Sequence, residues 1–217
     1  VQMSYYFLFV ILFIAGAYFD DAWRNKTLPG FFKASAVLLV AALIGVAANL
    51  SNLYHTYTYS KETMRGKSEL VQTGNAAKQT SSGLDRDYIT NWSYGIGETW
   101  TLLVPNFKGG SSAAPLSQSE TAMEKANPMY GSLYNSFPQY FGSQPWTAGP
   151  VYVGAFVLFL FVLGCFIVKG PLKWALLGAT FFSIVLAWGK NFMPLTDFFI
   201  DYIPMYNKFR AVSSILV

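Results

Sequence analysis

The sequence has few of the residues from which metal sites and disulfides are built, and little charge. It contains one cysteine, Cys165, and one histidine, His55, among 217 residues. One cysteine excludes a disulfide or a cysteine-based metal cluster within the chain, and a histidine-based metal site would need ligands from elsewhere. Charged residues make up 12%, about half the share of a soluble domain. The net charge of +4 forms no basic block, so no nucleic-acid partner is predicted.

Four long apolar runs make up much of the remaining sequence. They cover residues 3–19, 31–48, 151–168 and 172–188, and their only charged residues are two lysines, each near the start of its run. A hydrocarbon core about 30 Å thick is crossed by roughly 20 residues of α-helix, and a lysine near a helix end can extend to the headgroups. The runs therefore predict four spans in an all-α integral membrane protein, folded as a polytopic helical bundle.

The short loops between these runs predict the orientation of the chain. Arg24 and Lys26 lie between the first and second runs, and Lys169 and Lys173 lie around the junction of the third and fourth. Lysine and arginine in short loops mark the cytoplasmic side of a membrane. Both short loops are therefore expected in the cytoplasm, and the long segment between the second and third runs is expected outside it.

The predicted organisation has five parts. Residues 1–49 hold the first two spans, residues 50–150 form a mixed, largely helical extracytoplasmic cap, and residues 151–189 hold the third and fourth spans. Residues 190–210 are amphipathic and too charged to cross a bilayer, so they predict an outer interfacial or re-entrant segment. Residues 211–217 are predicted to begin a further helix, as in an internal segment of a longer polytopic protein.

Glu98 is the first candidate for chemistry in the cap. It lies among aromatic residues and glycines in the stretch from Trp92 to Trp100. A carboxylate desolvated beside aromatic rings can act as a general base or acid. The structural alternative is that Glu98 caps a helix or pairs with Arg86.

Two other charged clusters are candidates for binding. Asp85 and Asp87 are two carboxylates that could share a divalent cation, but they are weak candidates, because a triplet of two aspartates around an arginine is more often a solvated loop with a local ion pair. No metal site is predicted. Lys208 and Arg210 precede a predicted helix, where charge and free N–H groups together favour a lipid phosphate. Their alternative role is to anchor the chain at the membrane surface.

Three stretches resemble a known family. They are YGIGETWTLLVPNFKGG at 94–110, PVYVG at 150–154 and IPMYNKFR at 203–210. Together they resemble the YfhO-type bacterial membrane proteins, over nearly the whole chain but as the middle of a longer protein. The resemblance implies the C-type glycosyltransferase (GT-C) superfamily. Its polytopic enzymes take a sugar from a polyprenyl-phosphate carrier outside the bacterial inner membrane and pass it to a cell-envelope polymer, lipid or protein.

The resemblance also implies roles for individual residues. Lys208 and Arg210 would hold the carrier phosphate. The main catalytic acid is expected in an outer loop that precedes this segment, which leaves Glu98 a supporting or acceptor-side role. Aromatic faces for the sugar or acceptor would come from Trp92, Tyr94 and Trp100. No cofactor is expected in the chain, the donor substrate is a polyprenyl-phosphate sugar, and the need for a divalent metal stays open.

Two other functions stay open as well. One is a transporter or flippase of a lipid-linked precursor, and the other is a non-catalytic envelope assembly protein. A transporter is expected to place polar or ionisable groups near the bilayer midplane. The four runs offer only Thr180 and Ser183 of this kind, which favours the enzyme.

Overall fold

The computed structural model describes residues 2–63, 84–147 and 151–216, and most of them are helical. Within these ranges there is no β-strand, only an isolated antiparallel bridge between Pro115 and Pro138. The prediction of an all-α protein is therefore confirmed at this level. The α-helices are α1 (Gln2–Arg24), α2 (Leu28–Ala48), α3 (Leu50–Lys61), α4 (Arg86–Thr90), α5 (Glu120–Glu124), α6 (Ala155–Ile167), α7 (Pro171–Ala187) and α8 (Met193–Tyr202).

Short 3-10 helices account for most of the remaining helical structure. Frequent glycines and prolines keep these segments short, because proline removes a backbone donor and glycine favours other conformations. The predicted helix over residues 211–217 is a 3-10 helix over Val212–Leu216 in the described part of the chain. The 3-10 helices cover Ile96–Leu102, Leu116–Gln118, Pro128–Tyr130, Leu133–Asn135, Gly189–Phe192, Tyr206–Lys208 and Val212–Leu216.

Helices α1 and α2 are long and apolar enough to cross a membrane. The qualifying stretches are Tyr6–Arg24, with 19 residues, and Leu28–Ala48, with 21 residues. At about 1.5 Å per residue, both approach the thickness of a hydrocarbon core. No residue of α2 is buried within the protein, as expected of a helix that is apolar all round and surrounded by lipid. The prediction of a membrane protein with transmembrane helices is thus supported by two of the four runs.

The third and fourth runs form different structures from the straight spans that were predicted. Helix α6 has 13 residues and begins only after Gly154, whose φ of 97° lies outside the helical region. Helix α7 has 17 residues and is long enough for a membrane span only together with Gly189–Tyr202, from which it is bent by 107°. A break between two such helices is typical of a broken span or a re-entrant loop.

The chain divides into two compact units, each assembled from separate segments. The first contains Val1–Ile89, Val168–Ser183 and Asp197–Arg210. The second contains Thr90–Ile167, Ile184–Thr196 and Ala211–Val217. The five parts predicted from the sequence follow the order of the chain, whereas these units combine residues that are far apart in it.

Aromatic rings form the centre of the first unit. The ring of Phe182 lies 5.6 Å from that of Phe9 and 5.4 Å from that of Phe13, measured between centroids. Phe199 continues the cluster, at 5.7 Å from Phe182 and 5.3 Å from Tyr206. Tilted and edge-on contacts at these distances are the favoured packing of aromatic pairs. They join α1, α7, α8 and the segment after α8.

Candidate functional site

Glu98 lies in the interior of the second unit, where its side chain is 1% exposed. It is the third residue of the 3-10 helix Ile96–Leu102, and its Oε2 accepts a hydrogen bond from the backbone N–H of Gly95. This contact satisfies a donor that the start of the helix would otherwise leave without a partner. Glu98 therefore caps a helix, as one reading of the sequence proposed.

Two further side chains donate to the Glu98 carboxylate. The hydroxyl of Tyr140 donates to Oε1, and the hydroxyl of Ser143 donates to Oε2 at 3.2 Å. The Tyr140 oxygen also accepts a hydrogen bond of 3.0 Å from the backbone N–H of Gln144, which fixes the position of the phenol. Three donors around one carboxylate compensate much of the cost of removing it from water.

Glu98 forms part of the wall of a pocket of about 310 Å³. The pocket combines a carboxylate, an amine, a hydroxyl and an aromatic ring, and its lining residues are Gly95, Gly97, Glu98, Lys108, Phe141, Gly142 and Ser143. The Phe141 side chain is 65% exposed. A Cβ atom added to Gly97 would lie 3.6 Å from the Lys108 amine, which places that amine beside the pocket wall. Within the described ranges, Lys108 forms no ion pair.

Two glycines allow the backbone to approach the carboxylate. A Cβ atom at Gly142 would overlap both the Glu98 carboxylate and the Tyr140 hydroxyl. A Cβ atom at Gly95 would lie 2.8 Å from Ser143 Oγ and 2.9 Å from Glu98 Oε2. Any larger residue at either position would therefore displace the groups that hold the carboxylate.

The turn after α7 holds the segment that leads into this site. The N–H of Tyr94 donates to the carbonyl of Ala187 at 2.8 Å, and the side-chain amide of Asn191 donates to the carbonyl of Tyr94 at 2.9 Å. The indole N–H of Trp188 donates to the Thr99 hydroxyl at 2.9 Å. These contacts fix the backbone on both sides of Gly95, so the position of Glu98 depends on residues about 90 positions later in the chain.

Burial raises the pKa of Tyr140, and its hydrogen bond to Glu98 raises it further, because a neighbouring carboxylate disfavours a phenolate. Burial also raises the pKa of Tyr94. At neutral pH Tyr140 therefore keeps its proton and remains a donor to Glu98.

Only two of the three predicted aromatic platforms have accessible rings. Trp100 is 57% exposed, while Trp92 is half-buried and donates its indole N–H to the Trp146 carbonyl at 3.3 Å. The Tyr94 ring is 2% exposed and offers no face to a sugar. Its prediction as a platform is corrected, because the backbone bonds to Ala187 and Asn191 draw Tyr94 into the interior.

The predicted acidic pair has a structural role at the start of α4. Asp85 Oδ1 accepts a hydrogen bond of 2.8 Å from the N–H of Asp87, which caps the helix. Asp87 lies in the first turn, where a negative charge is favourable. The described residues contain no group of three side chains that could hold a metal ion.

Arg86 pairs with two carboxylates of α8. Its Nη1 contacts Asp197, and its Nη2 lies 2.6 Å from Oδ1 of Asp201. The two aspartates are four residues apart and therefore lie on one face of the helix. Both contacts raise the pKa of Arg86, with the hydrogen bond to Asp201 as the largest cause.

The predicted basic pair lies in the first unit, on the segment that follows α8. Arg210 donates from Nη1 to the Tyr88 hydroxyl at 3.0 Å, and its guanidinium carbon lies 5.6 Å from the centre of that ring. Lys208 ends the 3-10 helix Tyr206–Lys208, and partial burial lowers its pKa. The carbonyl of Asn207 accepts a hydrogen bond of 2.9 Å from the N–H of Leu84, which joins this segment to the residues before α4.

Several site residues could not be found from the sequence. Tyr140 and Ser143 contact Glu98 across 42 and 45 residues, and no local pattern reports a contact of that range. The glycine at position 142, within an aromatic stretch, is the one local sign of a close approach.

Comparison with protein-family models, curated proteins and solved structures finds no match to this chain.

Proposed function

We propose that the chain is a segment of a bacterial inner-membrane glycosyltransferase, which transfers a sugar from a polyprenyl-phosphate carrier to a cell-envelope acceptor on the outer side. The observation that carries the proposal is the pocket around Glu98. Lys108 offers a donor to sugar hydroxyls, the Ser143 oxygen offers an acceptor, and the exposed ring of Phe141 offers a surface to the apolar C–H face of a pyranose. This combination of a few polar groups with an aromatic wall suits a carbohydrate.

The Glu98 carboxylate retains capacity for a ligand. An ionised carboxylate can accept about four hydrogen bonds, and three donors within the protein occupy it. The remaining lone pair would accept a proton or a hydrogen bond from a hydroxyl of the sugar or acceptor. Glu98 would thus support the reaction from the acceptor side, with the main catalytic acid outside this segment.

The basic pair would bind the phosphate of the carrier. Tyr88 orients the Arg210 guanidinium, and Lys208 supplies a second cation two residues away. Negative charge develops on the leaving phosphate as the glycosidic bond breaks, and nearby cations stabilise it. In the proposed arrangement, the apolar helices form a polytopic bundle around the carrier chain and residues 50–150 form an extracytoplasmic cap. The two apolar helices and the basic short loops support this arrangement.

The pocket is tested by sugar transfer and sugar binding with the full-length protein. Phe141→Ala and Lys108→Ala should each weaken binding about tenfold, as expected for the loss of one contact worth about 1.4 kcal/mol. Phe137→Ala and Lys125→Ala are matched controls, since both side chains are exposed in the same unit and neither lines the pocket. Equal effects in the two pairs would contradict a sugar site in this pocket.

The variant Glu98→Gln distinguishes an acid–base role of the carboxylate from its structural role as a helix cap. It preserves the shape of the side chain and an acceptor for the Gly95 N–H, so the fold should persist. Turnover should fall at least about 10²-fold, the scale of an acid–base contribution. Unchanged turnover would instead favour a non-catalytic assembly protein, a role consistent with a carboxylate held by three internal donors.

The carrier site is tested by native mass spectrometry of the full-length protein purified gently from membranes. A bound mass of polyprenyl phosphate or its hexose conjugate should be lost when Lys208 and Arg210 are both replaced by Ala. The control replaces Arg24 and Lys26 by Ala, which removes the same charge from the loop between α1 and α2. Retention of the carrier in the first double variant would refute the phosphate site.

A further inference from the structure

An apolar groove of about 430 Å³ lies between α1 and the start of α7 in the first unit. It has no assigned part in the proposed transfer reaction. Its lining residues are Leu12, Phe13, Gly16, Ala17, Trp174 and Ala175.

The groove exists because small residues of α1 face a large residue of α7. A Cβ atom added at Gly16 would meet no atom within 4 Å, so the space beside it is open. Trp174, which is 68% exposed, forms one wall, and Ala175, which is 3% exposed, lies at the contact between the helices. A chain-like apolar molecule lying in the groove would gain dispersion contacts with the side chains that line it.

One end of the groove lies near the end of α1 and the start of α7. Trp174 is the fourth residue of α7, and Ala17 lies about 10 Å before the end of α1 at Arg24, at about 1.5 Å per residue. Leu12 lies about 8 Å deeper on the same helix. With α1 as a membrane span, the groove extends from about 10 Å before its end at Arg24 toward the middle of that span.

A cation lies beside the Trp174 wall of the groove. The Lys173 amine lies 4.9 Å from the centre of the Trp174 ring, so the wall of the groove carries a positive charge at its edge. Tryptophan is enriched at this level of a bilayer, and basic residues between helices near a membrane surface attract anionic headgroups. Lys169 adds a second positive charge four positions earlier, in the short connection before α7.

We propose that this groove binds an anionic phospholipid, with one acyl chain beside Gly16 and the phosphate beside Lys173. Lipid chains are as apolar as the groove, so the chain alone gives little preference for one lipid over another. The charge at Lys173 supplies the selectivity for the headgroup. The site is independent of the proposed transfer reaction.

Native mass spectrometry of the full-length protein tests the site, with phosphatidylglycerol and phosphatidylcholine of the same chain length as competing probes. The protein should retain phosphatidylglycerol preferentially. Gly16→Leu fills the groove and should lower the retained phosphatidylglycerol about tenfold. Gly45→Leu is the matched control, since a Cβ atom at Gly45 on α2 also meets no atom within 4 Å. Lys173→Gln should reduce the preference for phosphatidylglycerol, while Lys33→Gln, near the start of α2, should not.

Each result decides the proposal. Equal retention of the two lipids by the unmodified protein overturns the anionic site, and so does equal loss in Gly16→Leu and Gly45→Leu. Unchanged binding in Gly16→Leu also overturns it. If Gly16→Leu fails to fold, Trp174→Ala removes the opposite wall and must lower phosphatidylglycerol retention for the proposal to stand.

Discussion

The hydroxyl of Tyr140 donates a hydrogen bond to Oε1 of Glu98, across 42 residues of the chain. Both side chains are buried, with 7% and 1% of their surfaces exposed. A carboxylate in such a position needs donors, and a tyrosine is a donor only while it keeps its proton. The stability of the second unit should therefore respond to the protonation state of Tyr140.

Alkaline pH should destabilise the protein through Tyr140. Its pKa is raised above the ordinary value of 10.0, so the folded state holds this proton more tightly than the unfolded state. The resulting stabilisation is complete below pH 10 and is lost as the pH rises toward the raised pKa. Above pH 10, the unfolding temperature of the unmodified protein should therefore fall more steeply than the unfolding temperature of Tyr140→Phe. Tryptophan fluorescence during heating measures both.

The control for this experiment is Tyr130→Phe, because Tyr130 is 48% exposed. That variant should follow the pH dependence of the unmodified protein. Parallel curves for Tyr140→Phe and the unmodified protein would show that Tyr140 does not make the stability of the second unit depend on pH. At neutral pH, Tyr140→Phe should itself cost about 1–3 kcal/mol, because it removes a donor from a buried charge.

Gly142→Ala should destabilise the second unit by about 1–3 kcal/mol, the usual cost of forcing an extra methyl group into a packed interior. The added Cβ atom would overlap the Glu98 carboxylate and the Tyr140 hydroxyl. Gly131→Ala is the control, since its Cβ atom would lie 3.4 Å from the Pro128 carbonyl and its φ of −52° suits any residue. Thermal unfolding of both variants measures the difference, and equal unfolding temperatures would contradict the close approach at Gly142.

Arg86→Ala should destabilise the first unit by about 1–2 kcal/mol, a value reduced because Asp197 and Asp201 are 41% and 46% exposed. The variant leaves two like charges four residues apart on α8, which repel each other. Adding Asp201→Asn to Arg86→Ala should therefore recover part of the lost stability. Unfolding in denaturant gives the free energies.

Arg24→Ala is the comparison for Arg86→Ala. Arg24 pairs with Asp20 on the surface of α1, with side chains 75% and 61% exposed. Its loss should change the free energy of unfolding by no more than about 0.5 kcal/mol. An equal loss of unfolding free energy in Arg86→Ala and Arg24→Ala would mean that the contacts of Arg86 with α8 do not stabilise the protein.

The proposed orientation predicts the labelling of single cysteines. In a Cys165→Ser background, Ala113→Cys should react with a membrane-impermeant maleimide in intact spheroplasts. Asn25→Cys, in the loop between α1 and α2, should react only after the membrane is permeabilised. The opposite pattern would invert the arrangement of the spans.

The sequence was sufficient to predict the helices that depend on local composition. Helices α1 and α2 could be predicted because about 20 consecutive apolar residues satisfy the length of a membrane crossing without help from distant residues. The apolar run over residues 151–168 predicted a longer helix than α6, because hydropathy does not report the backbone conformation of Gly154. Apolar composition therefore indicated which regions are membrane-like, but not where each helix begins.

Some residues of the candidate site could likewise be found from the local sequence, and others only from the structure. Glu98 could be singled out because a carboxylate among aromatics and glycines is locally unusual, and capping was one of its two predicted roles. Its other donors, the burial of Tyr94 and the partners of Arg86 depend on contacts across about 40 to 115 residues. By itself, the sequence determined that this is a helical protein with apolar helices long enough to cross a membrane. Only the tertiary structure decided which side chains surround Glu98, because the free energy of those contacts depends on positions in space that no local pattern specifies.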